Sequence, residues 1–164
     1  MEKFDIKKGQ LISPSFLFRL IRGIPLLTYF LKWLIYRSLL NSFRVDLKNG
    51  FYVVNPDFIY AKDCNLNDTV FINYSPVYVG EKTSFFGKVT VITSYHDFHD
   101  LNVVYSEEIR IGRNCQIGHG ALILRGVVLG DNVIVGAGSV VTKSFESGSV
   151  IGGNPAKLIK RIYD

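Results

Sequence analysis

The densest concentration of reactive side chains is the stretch VITSYHDFHD, residues 91 to 100, where His96, Asp97, His99 and Asp100 follow a β-branched run. An imidazole with an unperturbed pKa of about 6.5 can take a proton at neutral pH, and it works best when an acceptor fixes its second nitrogen. Asp97, Asp100, Glu107 and Glu108 are all close enough in sequence to be that acceptor. His99 can orient a second substrate or face solvent. A zinc site needs three or four convergent ligands. The remaining histidine, His119, stands well apart, and Cys64 and Cys115 form no short Cys-x-x-Cys pair, so no metal is expected.

What positions this cluster is a repeat. From Ile111 the chain divides into blocks of six: IGRNCQ IGHGAL ILRGVV LGDNVI VGAGSV VTKSFE. Ile111, Ile117, Ile123, Leu129, Val135 and Val141 open the blocks, a small residue often comes second, and a small or β-branched residue usually comes fifth. A period of six fits neither an α-helix nor an alternating strand. It is the pattern of a parallel β-helix, in which each block is a short strand plus a turn and the aliphatic openers stack into one core. GRN, GHG and GDN supply the Gly and Asn that turns with positive φ require. Weaker blocks start at Leu66, Val79, Phe85 and Val91, with a slip of one residue near 72 to 78. The phase breaks between Val91 and Ile111, which predicts that residues 97 to 108 leave the coil as a loop. The histidine cluster therefore sits where a rigid scaffold gives way to an excursion, a common place for a site.

The repeat together with VGAGSVVTKSFESGSVIGGNPAKLIKRI resembles the hexapeptide-repeat acyltransferases, in particular the galactoside and maltose O-acetyltransferase branch and the related polysaccharide O-acetyltransferases. The resemblance covers about residues 50 to 162. It implies an all-β fold, a left-handed parallel β-helix, assembled as a homotrimer with acetyl-CoA between subunits. It makes His96 the general base that takes the proton of an acceptor hydroxyl as the oxygen attacks the thioester. It places Asn73 at the acceptor and assigns coenzyme contacts to Ala137, Thr142, Lys143, Lys157 and Lys160, with the backbone amide of the His119 turn beside the reacting carbonyl; Asp97 and His99 are expected at the acceptor because they begin the loop that shapes its pocket. Two departures bear on the acceptor: Gln116 stands where many relatives carry an aromatic residue, and the loop after His96 is shorter than in the galactoside branch. A sugar hydroxyl of a bacterial surface polysaccharide or its precursor is the expected acceptor. N-acetylation of an amino-sugar nucleotide, acetylation of serine or another small metabolite, and a β-helix scaffold without catalysis remain open at this point.

The N-terminal part has another character. Residues 6 to 45 carry Lys7, Lys8, Arg19, Arg22, Lys32, Arg37 and Arg44 and no acid, which more than accounts for the net charge of +5. Residues 14 to 43 are apolar, but their longest uncharged run, Gly23 to Leu31, is far short of the roughly 20 residues a transmembrane helix needs. Gly23 and Pro25 predict two short helices, near 14 to 22 and 26 to 42. The chain thus reads as a basic, apolar helical segment over 1 to 45 and a β-helix domain over 46 to 164. The helices either pack on the β-helix or lie against anionic headgroups at a membrane surface. No nucleic-acid motif accompanies the charge. With 164 residues and 48% apolar content, one main domain is expected. The polar start of the chain and the separated cysteines point to the cytoplasm, with peripheral contact at the inner membrane surface.

Overall fold

A computed structural model describes residues 2–5, 45–46, 52–55 and 58–163. The two helices expected over 14 to 22 and 26 to 42, and the membrane contact assigned to 14 to 43, lie outside the described residues. From Val45 onward the described chain winds as a parallel β-helix with three faces. The first face stacks Ile59–Ala61, Val77–Val79, Ile109–Ile111 and Val128–Leu129. The second stacks Val45–Asp46, Cys64–Asn65, Ser84–Phe85, Gln116–Ile117, Ile134–Val135 and Ser149–Gly152. The third stacks Tyr52–Val53, Val70–Ile72, Thr90–Ile92, Leu122–Ile123 and Val140–Val141. Lys157–Arg161 folds back antiparallel on Ser149–Gly152 and closes the second sheet.

The six-residue pattern is the burial pattern. Every block opener from Ile111 to Val141 is buried, and so are the fifth-place residues Cys115, Ala121, Val127, Val133 and Ser139. Wider side chains fill the upstream coils, where Phe71 and Phe85 stack with ring centroids 6.4 Å apart. The second-place glycines have a different cause from the turn residues. A Cβ on Gly112 would lie 2.5 Å from the carbonyl carbon of Gly130, and one on Gly118 would lie 2.5 Å from the nitrogen of Ala137. Close stacking of successive coils, rather than positive φ, excludes a side chain there. Positive φ belongs to other corner positions, among them Asn114 at 54°, Asn132 at 58° and Gly120 at 68°. Asn114 and Asn132, 18 residues and one coil apart, are also joined by a 2.7 Å amide hydrogen bond.

The excursion is a β-hairpin rather than the predicted loop, and it starts earlier. Ser94–His96 and Val103–Ser106 pair antiparallel, and Glu2–Asp5 adds a third strand along the outer edge of Val103–Ser106. Residues 2 to 5 therefore extend this small sheet. The neck of the hairpin is tied to the coil by Thr93: its Oγ1 accepts the N–H of Tyr74 at 2.8 Å, and its carbonyl accepts the Ser106 hydroxyl at 3.0 Å. The N–H of Glu107 reaches the Thr93 carbonyl at 2.8 Å, so the chain re-enters the coil beside the point it left. Thr90 and Leu122, on either side of the insertion, still pair in register.

Candidate active site

His96 is the last residue of the hairpin's first strand, opposite Val104, and its ring is exposed. The hairpin projects from the corner between the third and first faces. The partner of His96 Nδ1 is a backbone oxygen and not one of the four nearby carboxylates. His96 Nδ1 lies 2.7 Å from the carbonyl oxygen of Leu101. A carbonyl only accepts, so Nδ1 carries the hydrogen, and in the neutral ring the lone pair is on Nε2. The loop that follows His96 thus fixes the ring's orientation and tautomer.

Asp97, expected in the acceptor pocket, caps that loop. Its Oδ1 accepts the N–H of His99 at 2.7 Å and of Asp100 at 3.1 Å. The His99 amide first, then the Asp100 amide, hold the carboxyl below its ordinary value of 3.8, with help from the Tyr105 hydroxyl. Donation to this carboxylate correspondingly raises the phenol of Tyr105. The remaining turn bonds run from Val103 N–H to Asp100 O and from Asp97 N–H to Val103 O, both 2.9 Å. His99 is exposed at the tip, beside Phe98 at 92% exposure.

Asn73, expected at the acceptor, is fully buried, donating Nδ2–H to Asn55 O at 2.7 Å and accepting Asn55 N–H at 3.1 Å. The amide staples two successive coils, because a buried polar group must be satisfied.

The residues expected at the coenzyme fall into three places. His119 and Ala137 stack at the corner between the second and third faces, where Gly138 N–H donates to His119 O at 2.8 Å. The His119 ring is exposed, with Nδ1 3.3 Å from the Phe86 carbonyl. The amides of His119 and Ala137 make no hydrogen bond among the described residues, leaving two donors at this corner. Thr142 and Lys143 are exposed at the other edge of the third face, on the hairpin's own corner. Lys157 and Lys160 are exposed on the strand that closes the second sheet. One chain therefore does not bring His96 to the His119 corner.

Among the described residues, no three His, Cys, Asp or Glu side chains gather to hold a metal. Both cysteines are buried, and desolvation pushes the Cys64 thiol up to about 12 and raises Cys115 as well. Neither is a thiolate at neutral pH, so neither supplies a nucleophile for a covalent intermediate. Two parts of this site carried no sequence signal: the Leu101 carbonyl, which any residue possesses, and the Arg125 guanidinium, which lies 3.8 Å over the Tyr95 ring.

Residues 108–143 match the family model described as bacterial transferase hexapeptide (six repeats). Over 104 residues the chain is 36% identical to galactoside O-acetyltransferase from Escherichia coli (strain K12), an alignment covering 61% of this chain and 51% of that protein. The chain spans about half the length of the curated relatives it matches. The crystal structure of a maltose O-acetyltransferase from Clostridium difficile 630 superposes with a TM-score of 0.73 at 29% identity, covering 90% of this chain and 83% of that one. A galactoside acetyltransferase in complex with coenzyme A gives 0.65 at 28% identity, with 76% and 68% covered. The resemblance to galactoside and maltose O-acetyltransferases read from the repeat is thereby shown, and with it the left-handed sense of the β-helix.

Proposed function

We propose that this protein is an acetyl-CoA-dependent O-acetyltransferase that modifies a sugar hydroxyl, on a bacterial surface polysaccharide or its precursor, with His96 as general base. The observation that carries the reading is the His96 geometry: an exposed imidazole at a coil excursion, with Nδ1–H committed to Leu101 and Nε2 open. As the acceptor oxygen bonds to the thioester carbonyl carbon, its proton passes to Nε2. The resulting oxyanion needs preorganised N–H donors, and the His119 and Ala137 corner amides are suited to that task. Collapse of the intermediate breaks the C–S bond, and the imidazolium returns its proton to the departing coenzyme thiolate. The acetyl ester and free coenzyme A are the products. Lys143, Lys157 and Lys160 neutralise the coenzyme's phosphates as point charges, and Thr142 borders the same path.

This scheme requires more than one chain, since His96 and the amide pair occupy opposite edges of the third face. A homotrimer would set the hairpin of one copy against the corner of its neighbour. Exposed apolar residues at both places favour such burial: Phe98 and Leu101, at 71%, on the hairpin, and Phe86, at 56%, on the corner. The acceptor class draws on the relatives' sugar substrates and on the basic, apolar residues 14 to 43, which suit the cytoplasmic face of an inner membrane where lipid-linked glycans are assembled.

The test is acetyl-CoA turnover with a panel of sugars, nucleotide sugars, amino acids and glycan acceptors. Ester formation on a sugar is expected, with His96→Ala reducing the rate by roughly 10²- to 10⁴-fold. Full activity in that variant sinks the base assignment, and transfer only to an amine or to serine sinks the acceptor class. Sedimentation equilibrium should return the mass of three copies. Flotation with anionic liposomes, with and without residues 1 to 45, tests the membrane contact.

A further inference from the structure

We propose that Arg125 is a positioning residue for catalysis, acting on His96 through the tyrosine face of the hairpin; this rests on the assignment of His96 as the base. The hairpin's strands are only three or four residues long, and even with Glu2–Asp5 along one edge and Thr93 at the neck so small a sheet needs packing against the coil to hold its shape. Yet its catalytic ring depends on a single carbonyl in its own loop. Something must fix that loop against the coil.

A continuous path of contacts does so. Arg125 follows Ile123 and Leu124 in the coil, where Ile123 is fully buried and Leu124 N–H donates to Val141 O at 3.0 Å. Its backbone is therefore part of the rigid body. The guanidinium carbon lies 3.8 Å from the centroid of Tyr95, on the hairpin's first strand. Tyr95 stacks on its cross-strand partner Tyr105, with centroids 5.3 Å apart and planes 29° from parallel. Tyr105 lies near enough to Asp97 that its hydroxyl helps hold that carboxyl below its ordinary value, and Asp97 gathers the His99 and Asp100 amides. That turn carries Leu101, whose carbonyl holds His96 Nδ1. Tyr95 and Tyr105 lie on one face of the hairpin, while His96 and Val104 lie on the other. Arg125 thus sets the tilt of the hairpin without touching the reacting atoms.

A displacement of about 1 Å at a catalytic group can cost on the order of 10²-fold in rate. Arg125→Gln removes the cation from the ring and is expected to lower kcat by roughly 10- to 100-fold while leaving KM for acetyl-CoA within about twofold. Arg125→Lys keeps a cation over the ring and should recover part of the loss. Tyr95→Ala should reproduce the Gln variant, with Tyr95→Phe falling between it and the unaltered protein. In Arg125→Gln, amide exchange should accelerate at Asp97 and Val103 and stay unchanged at Gly118 in the coil. Unchanged kcat in Arg125→Gln, with His96→Ala inactive, overturns the positioning role alone. A rise in KM for acetyl-CoA with kcat intact also overturns it, since Arg125 would then be a coenzyme contact. Full turnover in His96→Ala overturns both the base and its positioning.

Discussion

The coils of residues 109 to 141 and the hairpin of 94 to 106 are stabilised in opposite ways. In the coils each residue repeats its neighbour one turn away: aliphatic openers stack inward, Asn114 meets Asn132, and glycines allow the backbones to touch. Such a structure is redundant, because each rung is held by two equivalent rungs. The hairpin has one copy of everything. Of its side chains only Val104 and Ser106 are buried, and its tip exposes Phe98 and Leu101. His96 sits on this sparsely packed part.

The sharpest way to break this contrast is to remove the insertion. Thr93 and Glu107 are already hydrogen-bonded neighbours, so replacing residues 94 to 106 with a Gly-Ser link should leave the far-ultraviolet circular dichroism of the coil in place. Turnover should fall at least as far as in His96→Ala, roughly 10²- to 10⁴-fold. Collapse of the whole fold would show that the coil is not independent of the hairpin.

Ile117→Ala acts on the coil instead. Ile117 is fully buried between Phe85 and Val135, so truncation should cost about 2 to 5 kcal/mol by urea denaturation. Gly118→Ala drives a Cβ into the nitrogen of Ala137 at 2.5 Å and should cost about 1 to 3 kcal/mol. Gly120→Ala meets nothing within 4 Å but must hold φ at 68°, which costs about 1 to 2 kcal/mol. A larger loss for Gly120 than for Gly118 would reverse the assignment of stacking and turn glycines.

The smallest effect is confined to the hairpin tip. Asp97 is held below its ordinary 3.8 by the amides it caps. A group whose folded pKa is depressed contributes stability above its unfolded value and loses it as pH falls through the folded one. Amide exchange at His99 and Asp100, corrected for intrinsic rates, should therefore rise as pH drops below about 4 relative to coil amides. Equal change throughout the chain would show that the cap is not local.

The coil was legible in the sequence because its determinants are local and repeated. A buried opener at Ile111 recurs at Ile117 and again through Val141, and each glycine or asparagine marks a corner. The excursion was legible only as a loss of phase. Its antiparallel pairing, and the joining of Glu2–Asp5 to Val103–Ser106 from the far end of the described chain, depend on backbone hydrogen bonds that leave no compositional mark. The burial of Asn73 left no mark in the sequence, because an amide reads the same whether it meets a substrate or staples Asn55. For His96, the residue type and its place beside an excursion were legible. Which nitrogen carries the proton was settled by the Leu101 carbonyl, and the tilt of the ring by contacts that reach back to Arg125. Periodicity determines a core because burial repeats along the chain, whereas a site is decided by groups that meet only after the chain has folded.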